Sequence, residues 1–356
     1  MELMGDSLTS EYSMIEGPYL RDILDQPNAL TDTLARLEDG KELRSIASRL
    51  QLGKFQAIVL TGMGGSFHAL YPLNLELIHH GFRAWMVETS ELIHYQGHLL
   101  NRNVLIIAVS QSGRSAEIVR LLRANRKNAT VIAVTNTPDS PLAQGASVSL
   151  MTQAGREFSV SCKTYVTALM ALRWLGDILT RNDLSRSRRD LNKASPLASA
   201  YLRNWKSHVG ELVAGLQGVR SMFLVGRGSS LAAVETGALV IKESDHFHAE
   251  GMSSAAFRHG PLEMLSDEVF VAVFAGAQRT CKLNAALCQD IRARQGKTEL
   301  LDEDSEFAPF RIPHAPESIR PILEILPVQM VTLALAALSG REAGRFTHAS
   351  KVTTTE

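Results

Sequence analysis

The run Ser110-Gln111-Ser112-Gly113-Arg114-Ser115 follows the apolar stretch Val104 to Val109 and precedes a helical pattern that reaches about Asn125. Small hydroxyl residues and a glycine between a strand and a helix make a phosphate cradle. The first helical turn leaves backbone N–H groups without intrahelical acceptors, and Ser110, Gln111, Ser112 and Ser115 add side-chain donors beside them. A bound dianion is then held mainly by hydrogen bonds. The simpler account makes Ser112 or Ser115 a helix N-cap and Gly113 a turn residue. That account has no use for Gln111, whereas a sugar phosphate offers many oxygens to bind.

A second set of reactive side chains comprises Lys242-Glu243, His246, His248 and Arg258-His259-Gly260-Pro261. A carboxylate shielded from water has a raised pKa and can take a proton from carbon. Histidine titrates near neutrality and can give and take a ring-opening proton, and a lysine becomes nucleophilic once burial removes its proton. Each residue also has a plain reading: Glu243 as a surface helix carboxylate, His259 as a satisfied loop histidine, Lys351 as a solvated terminal residue. His246 and His248 form an HxH pair without further ligands at matching spacing, so no metal is expected. Cys162 reads as a buried structural thiol or, alternatively, a reactive one.

The elements that position these residues follow from hydrophobic pattern. Apolar strands are expected at Ala57 to Thr61, Ala84 to Val87, Val104 to Val109, Thr130 to Val134 and Val148 to Met151, separated by helical or turn patterns. Strands with no polar alternation are buried on both faces, which is the pattern of a parallel sheet covered by helices. The Ser110 to Ser115 run then lies at the carboxyl end of its strand, where open α/β sheets bind ligands. Residues 1–50 lack strand patterns and carry helical spacing at Ala29, Leu30, Leu34 and Leu37, predicting a helical segment packed on the first core. The polar stretch Thr180 to Ser195 is the expected connection between domains.

Beyond it the pattern repeats. Met222 to Val225 runs into Gly226-Arg227-Gly228-Ser229-Ser230 much as Ile58 to Leu60 runs into Gly62-Met63-Gly64-Gly65-Ser66. Further strands are expected at Val269 to Phe274, Thr298 to Leu301 and Phe310 to Ile312, with a long helix near Ile319 to Leu338. The fold class is therefore α/β, two tandem doubly wound parallel-sheet domains with an amino-terminal helical segment. The expected boundaries are 1–50 for that segment, 51–195 and 196–340 for the two domains, and 341–356 for a carboxyl-terminal tail. The second copy has no equivalent of Ser110 to Ser115, so phosphate binding and chemistry divide between the halves.

Lys plus Arg and Asp plus Glu are 37 each, so no global field favours nucleic acid or an anionic membrane, and neither is expected as a partner. A small-molecule ligand fits best. The cysteines Cys162, Cys281 and Cys288 form no CxxC or zinc spacing, and no basic amino terminus leads an apolar run, so a cytoplasmic location is expected. Apolar stretches such as Met330 to Leu338 are interrupted too soon to cross a bilayer. Glycines 62, 64 and 65 suggest a dinucleotide fingerprint, but GxGxxG would need glycine at Phe67, and in the second copy at Leu231. No cofactor is expected.

Taken together, these residues resemble the sugar isomerase (SIS) family, and specifically the isomerase half of glutamine:fructose-6-phosphate amidotransferases. Ser110 to Ser115 is similar to the family's phosphate loop, and Gly64-Gly65-Ser66 sits where the family places a ligand-touching serine. Tyr19-Leu20-Arg21-Asp22-Ile23-Leu24-Asp25-Gln26-Pro27 resembles its amino-terminal acidic-Gln-Pro segment. Lys242-Glu243, His248-Ala249-Glu250 and Arg258-His259-Gly260-Pro261-Leu262 match its most specific block, and Lys351-Val352-Thr353-Thr354-Thr355-Glu356 its carboxyl tail. The resemblance implies Glu243 as the base between C1 and C2, His259 as the ring-opening group, Lys351 at the carbonyl, and a homodimer with shared sites. It also implies ligand contacts from Ser66, Ser110, Gln111, Ser112, Ser115 and Ser161, with Cys162 the alternative to Ser161.

The chain departs from the family in places. Val240 stands where the amidotransferases have a lysine, Arg114 replaces an acidic residue and adds charge toward a phosphate, and 157–164 is one residue shorter. With helical residues where those enzymes carry a glutaminase domain, the chain is not expected to use glutamine. The expected activity is a glutamine-independent amino-sugar-phosphate deaminase or isomerase, with glucosamine 6-phosphate as substrate. The alternatives are a fructosamine-6-phosphate deglycase and a non-catalytic sugar-phosphate sensor.

Overall fold

The strands β1 (Ala57–Gly62) and β3 (Val104–Val109) are buried at every position, as a run without polar alternation requires. A computed structural model describes residues 13–126, 128–353 and 355, so Thr354 and Glu356 of the carboxyl-terminal motif and 1–12 of the amino-terminal segment lie outside the described residues. With β2 (Ala84–Glu88), β4 (Thr130–Thr135) and β5 (Val148–Met151), these strands form a parallel sheet of order β2-β1-β3-β4-β5. The order reverses between β1 and β3, whose register pairs Thr61 with Ala108, so their carboxyl ends lie side by side. One face of this sheet, through Val59, Ile106, Ala108 and Val131, packs on Ile118 and Leu121 of the helix Ala116–Asn125.

The second sheet consists of β6 (Ser221–Gly226), β7 (His248–Ser253), β8 (Val269–Phe274) and β9 (Lys297–Leu301), in the order β7-β6-β8-β9 and again parallel. Its order repeats that of the first four strands of the other sheet. Phe223, Val271 and Val273 pack against Leu287 and Ile291, and Phe223 meets Phe257 edge to face at 5.2 Å. Strand β7 escapes the sequence reading because it is an edge strand whose His248 and Glu250 stay exposed. On another face, the helix Leu231–Asp245 lies against β6 and the helix Arg320–Ser339. Gly237 permits this approach, since an added Cβ would stand 2.7 Å from a Leu224 methyl and 3.0 Å from Val328.

The chain divides into two compact units. One holds the first sheet and comprises the described residues of 28–156, 163–194 and 349–356. The other holds the second sheet and comprises the described part of 1–27 together with 157–162 and 195–348. The amino-terminal residues therefore do not all pack on the first core. The helix Pro18–Leu24 belongs with the second sheet, because Tyr19 bonds Thr332, and Gln26 exchanges amide hydrogen bonds of 2.8 and 3.0 Å with buried Gln329.

Two further expectations change. Phe310 to Ile312 makes no strand: Ala308–Phe310 is a 3-10 turn, and a single bridge joins Asp302 to Arg311. The polar stretch before residue 195 carries the chain between the two units, whose boundary falls between Ala194 and Ser195, and is helical over Leu184–Leu191. Arg320–Ser339 is an uninterrupted helix of 20 residues, long and apolar enough to cross a bilayer by length and composition, yet 83% of its apolar window is buried as a core helix.

Candidate active site

The loop after β3 is built by its own short side chains. Ser110, nearly buried, accepts from the Gly113 N–H at 3.2 Å, and Ser112 Oγ accepts from the Arg114 N–H at 3.2 Å. The Gln111 carbonyl accepts from the Asn136 N–H and from the hydroxyls of Thr135 and Thr137, which fixes the backbone and leaves the Gln111 side chain to other partners. Gly113 is required: at φ 59° an added Cβ would collide with Ser140, while its carbonyl accepts from the Leu142 N–H at 3.2 Å.

Ser115 is the N-cap of the helix Ala116–Asn125 by backbone position, but its hydroxyl caps no backbone N–H. The capping account of Ser115 fails on that observation, and the hydroxyl stands at a helix N-terminus as an anion donor would. Two expectations for the loop are corrected. The Ala116 N–H, at the helix start, donates to the Thr353 carbonyl of the tail at 3.1 Å and is not left for a ligand. The Arg114 guanidinium donates to the Asp139 carbonyl at 2.7 Å, which holds its charge away from the loop interior.

Ser66 lies in the short helix Gly65–His68 that ends β1, beside the Ser110 to Ser115 loop because β1 and β3 are register neighbours. Gly62 allows this turn, since a Cβ there would come within 3.0 Å of the Val109 carbonyl. Lys351 belongs to this same unit and is half-buried, between Ser350, whose hydroxyl donates to the Val352 carbonyl, and the docked Thr353. The first unit thus gathers Ser66, Ser110, Gln111, Ser112, Ser115 and the Lys351 tail.

The unit of the second sheet carries the other predicted groups. Glu243 is half-buried in the last turn of Leu231–Asp245, and Val240, one turn earlier, is core. Residues 157–162 also belong to this unit, where the Cys162 N–H donates to Glu157 at 2.9 Å. Cys162 is fully buried and Ser161 only half so, which makes Ser161 the more accessible of the two. His259 ends the helix Ser254–Arg258 and is exposed; its neighbour Phe257 is buried, and Gly260 turns the chain at φ 147°.

Sequence reasoning missed what surrounds Glu243. Tyr19, fully buried, has its pKa raised by burial and further by the charge of Cys162, against its hydrogen bond with Thr332, and then by Asp245 and Glu243. Asp245 is buried, and burial pushes its pKa well up against the opposing pull of Ser244 and Arg341. His246 does not join His248 at a common site. Its ring meets Arg341, Thr347 and His348, while His248 faces Glu250 at 3.6 Å. Among the described residues no three His, Cys, Asp or Glu side chains gather as a metal site would require.

The corresponding crevice of the second sheet is filled. Gly276, at φ 71°, lies so close to Ser230 that a Cβ would stand 2.9 Å from its hydroxyl, and that hydroxyl donates at 2.9 Å to fully buried Glu324. Burial raises Glu324 to about 7 against the pull of Arg320. A plug of this kind gives a physical reason for the lack of a second phosphate loop.

Fold order, repeated unit and loop define a double parallel-sheet protein with a hydroxyl-rich loop at the topological switch point of its first sheet. The SIS domain family matches the chain twice, over residues 52–176 and 215–339, and the chain belongs to that family. It is 30% identical over 348 residues to the glutamine–fructose-6-phosphate aminotransferase (isomerizing) of Pyrococcus horikoshii, covering 95% of this chain and 57% of the relative. The Thermococcus kodakarensis enzyme of the same name is 28% identical, with 95% and 58% covered, so the chain spans less than two thirds of either relative.

Among solved structures, the C-terminal domain of glucosamine-fructose-6-phosphate aminotransferase from Francisella tularensis superposes with a TM-score of 0.80 at 20% identity, covering 91% of this chain and 97% of that one. Glucosamine-6-phosphate deaminase from Thermotoga maritima gives 0.75 at 17% identity, with 95% and 100% covered. At these identities the structural likeness establishes the fold.

Proposed function

We propose that the protein is a phosphosugar isomerase that acts on an amino-sugar phosphate, converting glucosamine 6-phosphate and water to fructose 6-phosphate and ammonia. The observation that carries the reading is the Ser115 hydroxyl, placed at a helix N-terminus without a capping bond, in a loop where Ser110 and Ser112 accept from the Gly113 and Arg114 N–H groups. Gln111, Ser115 and Ser66 then hold the phosphate, and Ser161 contacts the sugar. His259 passes the proton that opens the ring. Glu243 takes the proton from C2 and returns it to C1, which turns the aldehyde and amine into an alcohol and a ketimine. Water adds to the ketimine, and ammonia leaves with the proton it needs. Lys351 meets the carbonyl and holds it in the open form. The exposure of His259 suits a residue that serves a second copy of the chain, and a homodimer with shared sites is part of the proposal.

The test measures ammonia and fructose 6-phosphate released from glucosamine 6-phosphate, with Glu243→Gln and Lys351→Ala as controls. Equal release of both products, reduced about 100-fold or more in Glu243→Gln, supports the reading. Unchanged turnover in both variants refutes the roles given to these residues. Thermal stabilisation by the sugar phosphate without ammonia release would favour a fructosamine 6-phosphate substrate or a sensor.

A further inference from the structure

His246 ends the helix that carries Glu243 in a left-handed conformation, φ 52°, which sends its ring off the helix axis toward the chain segment 341–348. Both ring nitrogens are used there. Nδ1 lies 3.0 Å from Nη2 of Arg341, and a guanidinium only donates, so Nδ1 is the acceptor. The ring proton therefore sits on Nε2, which faces the Thr347 hydroxyl at 3.1 Å. The His348 ring lies at 5.8 Å. The middle of the segment is pinned separately: the Gly344 N–H donates to Ser244 Oγ at 2.9 Å, Ala343 is buried, and Gly344 at φ 73° packs so closely on Tyr19 that a Cβ would stand 2.6 Å from the ring.

We infer that His246 is a positioning residue: neutral, it ties the helix of Glu243 to the strap 341–348 that leads to Lys351, and protonation of its ring releases the strap. A proton on Nδ1 would face the Arg341 guanidinium and remove the acceptor that holds it. The charged groups facing the ring are Arg341 and His348 from the strap; Lys242 and Asp245 lie on its own helix, while Arg345 and Glu342 pair with each other at 3.4 Å on the exposed side. Desolvation first, then the Arg341 and His348 charges, hold the imidazole below its ordinary pKa of 6.5. A lowered histidine pKa means that the closed contact is complete above 6.5 and is lost as pH falls through the lower folded value.

The inference uses the proposed function only for the importance of Lys351, and the test does not need turnover. Hydrogen exchange of peptides spanning 341–348, corrected for intrinsic rates, is measured between pH 5 and 8 on the full chain. The wild type is expected to exchange about tenfold faster below pH 6 than at pH 8 in this segment, with core-strand peptides unchanged. His246→Gln supplies an amide oxygen for Arg341 and an N–H for Thr347 but does not titrate, so its protection should be flat with pH; His246→Ala should be unprotected throughout. The kinetic counterpart is a fall in kcat with KM little changed in His246→Ala, restored by His246→Gln together with loss of the acid limb of the pH profile. Identical pH dependence in wild type and His246→Gln, or full protection in His246→Ala, overturns the inference. Strap behaviour as expected, without ammonia from glucosamine 6-phosphate, would leave the strap standing and remove the proposed substrate.

Discussion

Replacing Glu324 by Gln should stabilise the protein above neutral pH and do little in acid. The carboxyl is fully buried, accepts from Ser230 through Oε1 and has no hydrogen-bond partner at Oε2. Its pKa rises from 4.5 to about 7, with burial the largest cause and the Arg320 charge opposing it. Because the folded state holds this proton more tightly than the unfolded chain, stability falls as pH rises from 4.5 to about 7 and is level beyond. At about 1.4 kcal/mol for each tenfold change in proton affinity, the loss is about 3 kcal/mol. A neutral amide keeps an acceptor for Ser230 and carries no such charge. Thermal unfolding of wild type and Glu324→Gln between pH 4 and 8 should show the variant gaining on the order of 5 °C relative to wild type across that range. A difference between the two that does not change with pH, or that is larger in acid, would refute the assignment of a buried, titrating carboxyl.

Three other outcomes are expected. Ser115→Ala should weaken sugar-phosphate binding in calorimetry while changing stability by less than about 0.5 kcal/mol, since a working N-cap would cost about 1 kcal/mol. Gly113→Ala should lower stability by about 2 kcal/mol and abolish phosphate binding, because a left-handed residue there runs into Ser140; full retention of both would mean that the loop relaxes freely. Asp245→Asn should raise Tm more at pH 8 than at pH 4, since burial favours the protonated acid and the ionised form is the strained one.

Much of the architecture was legible because it rests on local pattern. Unbroken apolar runs such as Val104 to Val109 admit only a doubly buried strand, and the hydroxyl-rich turn that follows can only lie at the strand's carboxyl end. The repeat of strand and glycine turn likewise marked two similar sheets, although β7 stayed hidden behind the exposed His248 and Glu250 of an edge position. The charge that Arg114 was expected to add toward a phosphate is tied instead to the Asp139 carbonyl, which a separate loop brings there.

The sequence by itself determined most of the strands, the hydroxyl-rich turn at the carboxyl end of β3, and the family whose residues the chain retains, since each depends on neighbours in the chain. Tertiary structure alone decided that Ser115 caps nothing, that the Pro18–Leu24 helix sides with the second sheet, and that Glu324 fills the second crevice. It also decided that Tyr19, Asp245 and His246 surround the helix end bearing Glu243. Burial and hydrogen-bond partners are properties of residues far apart in the chain, and pKa values follow from them.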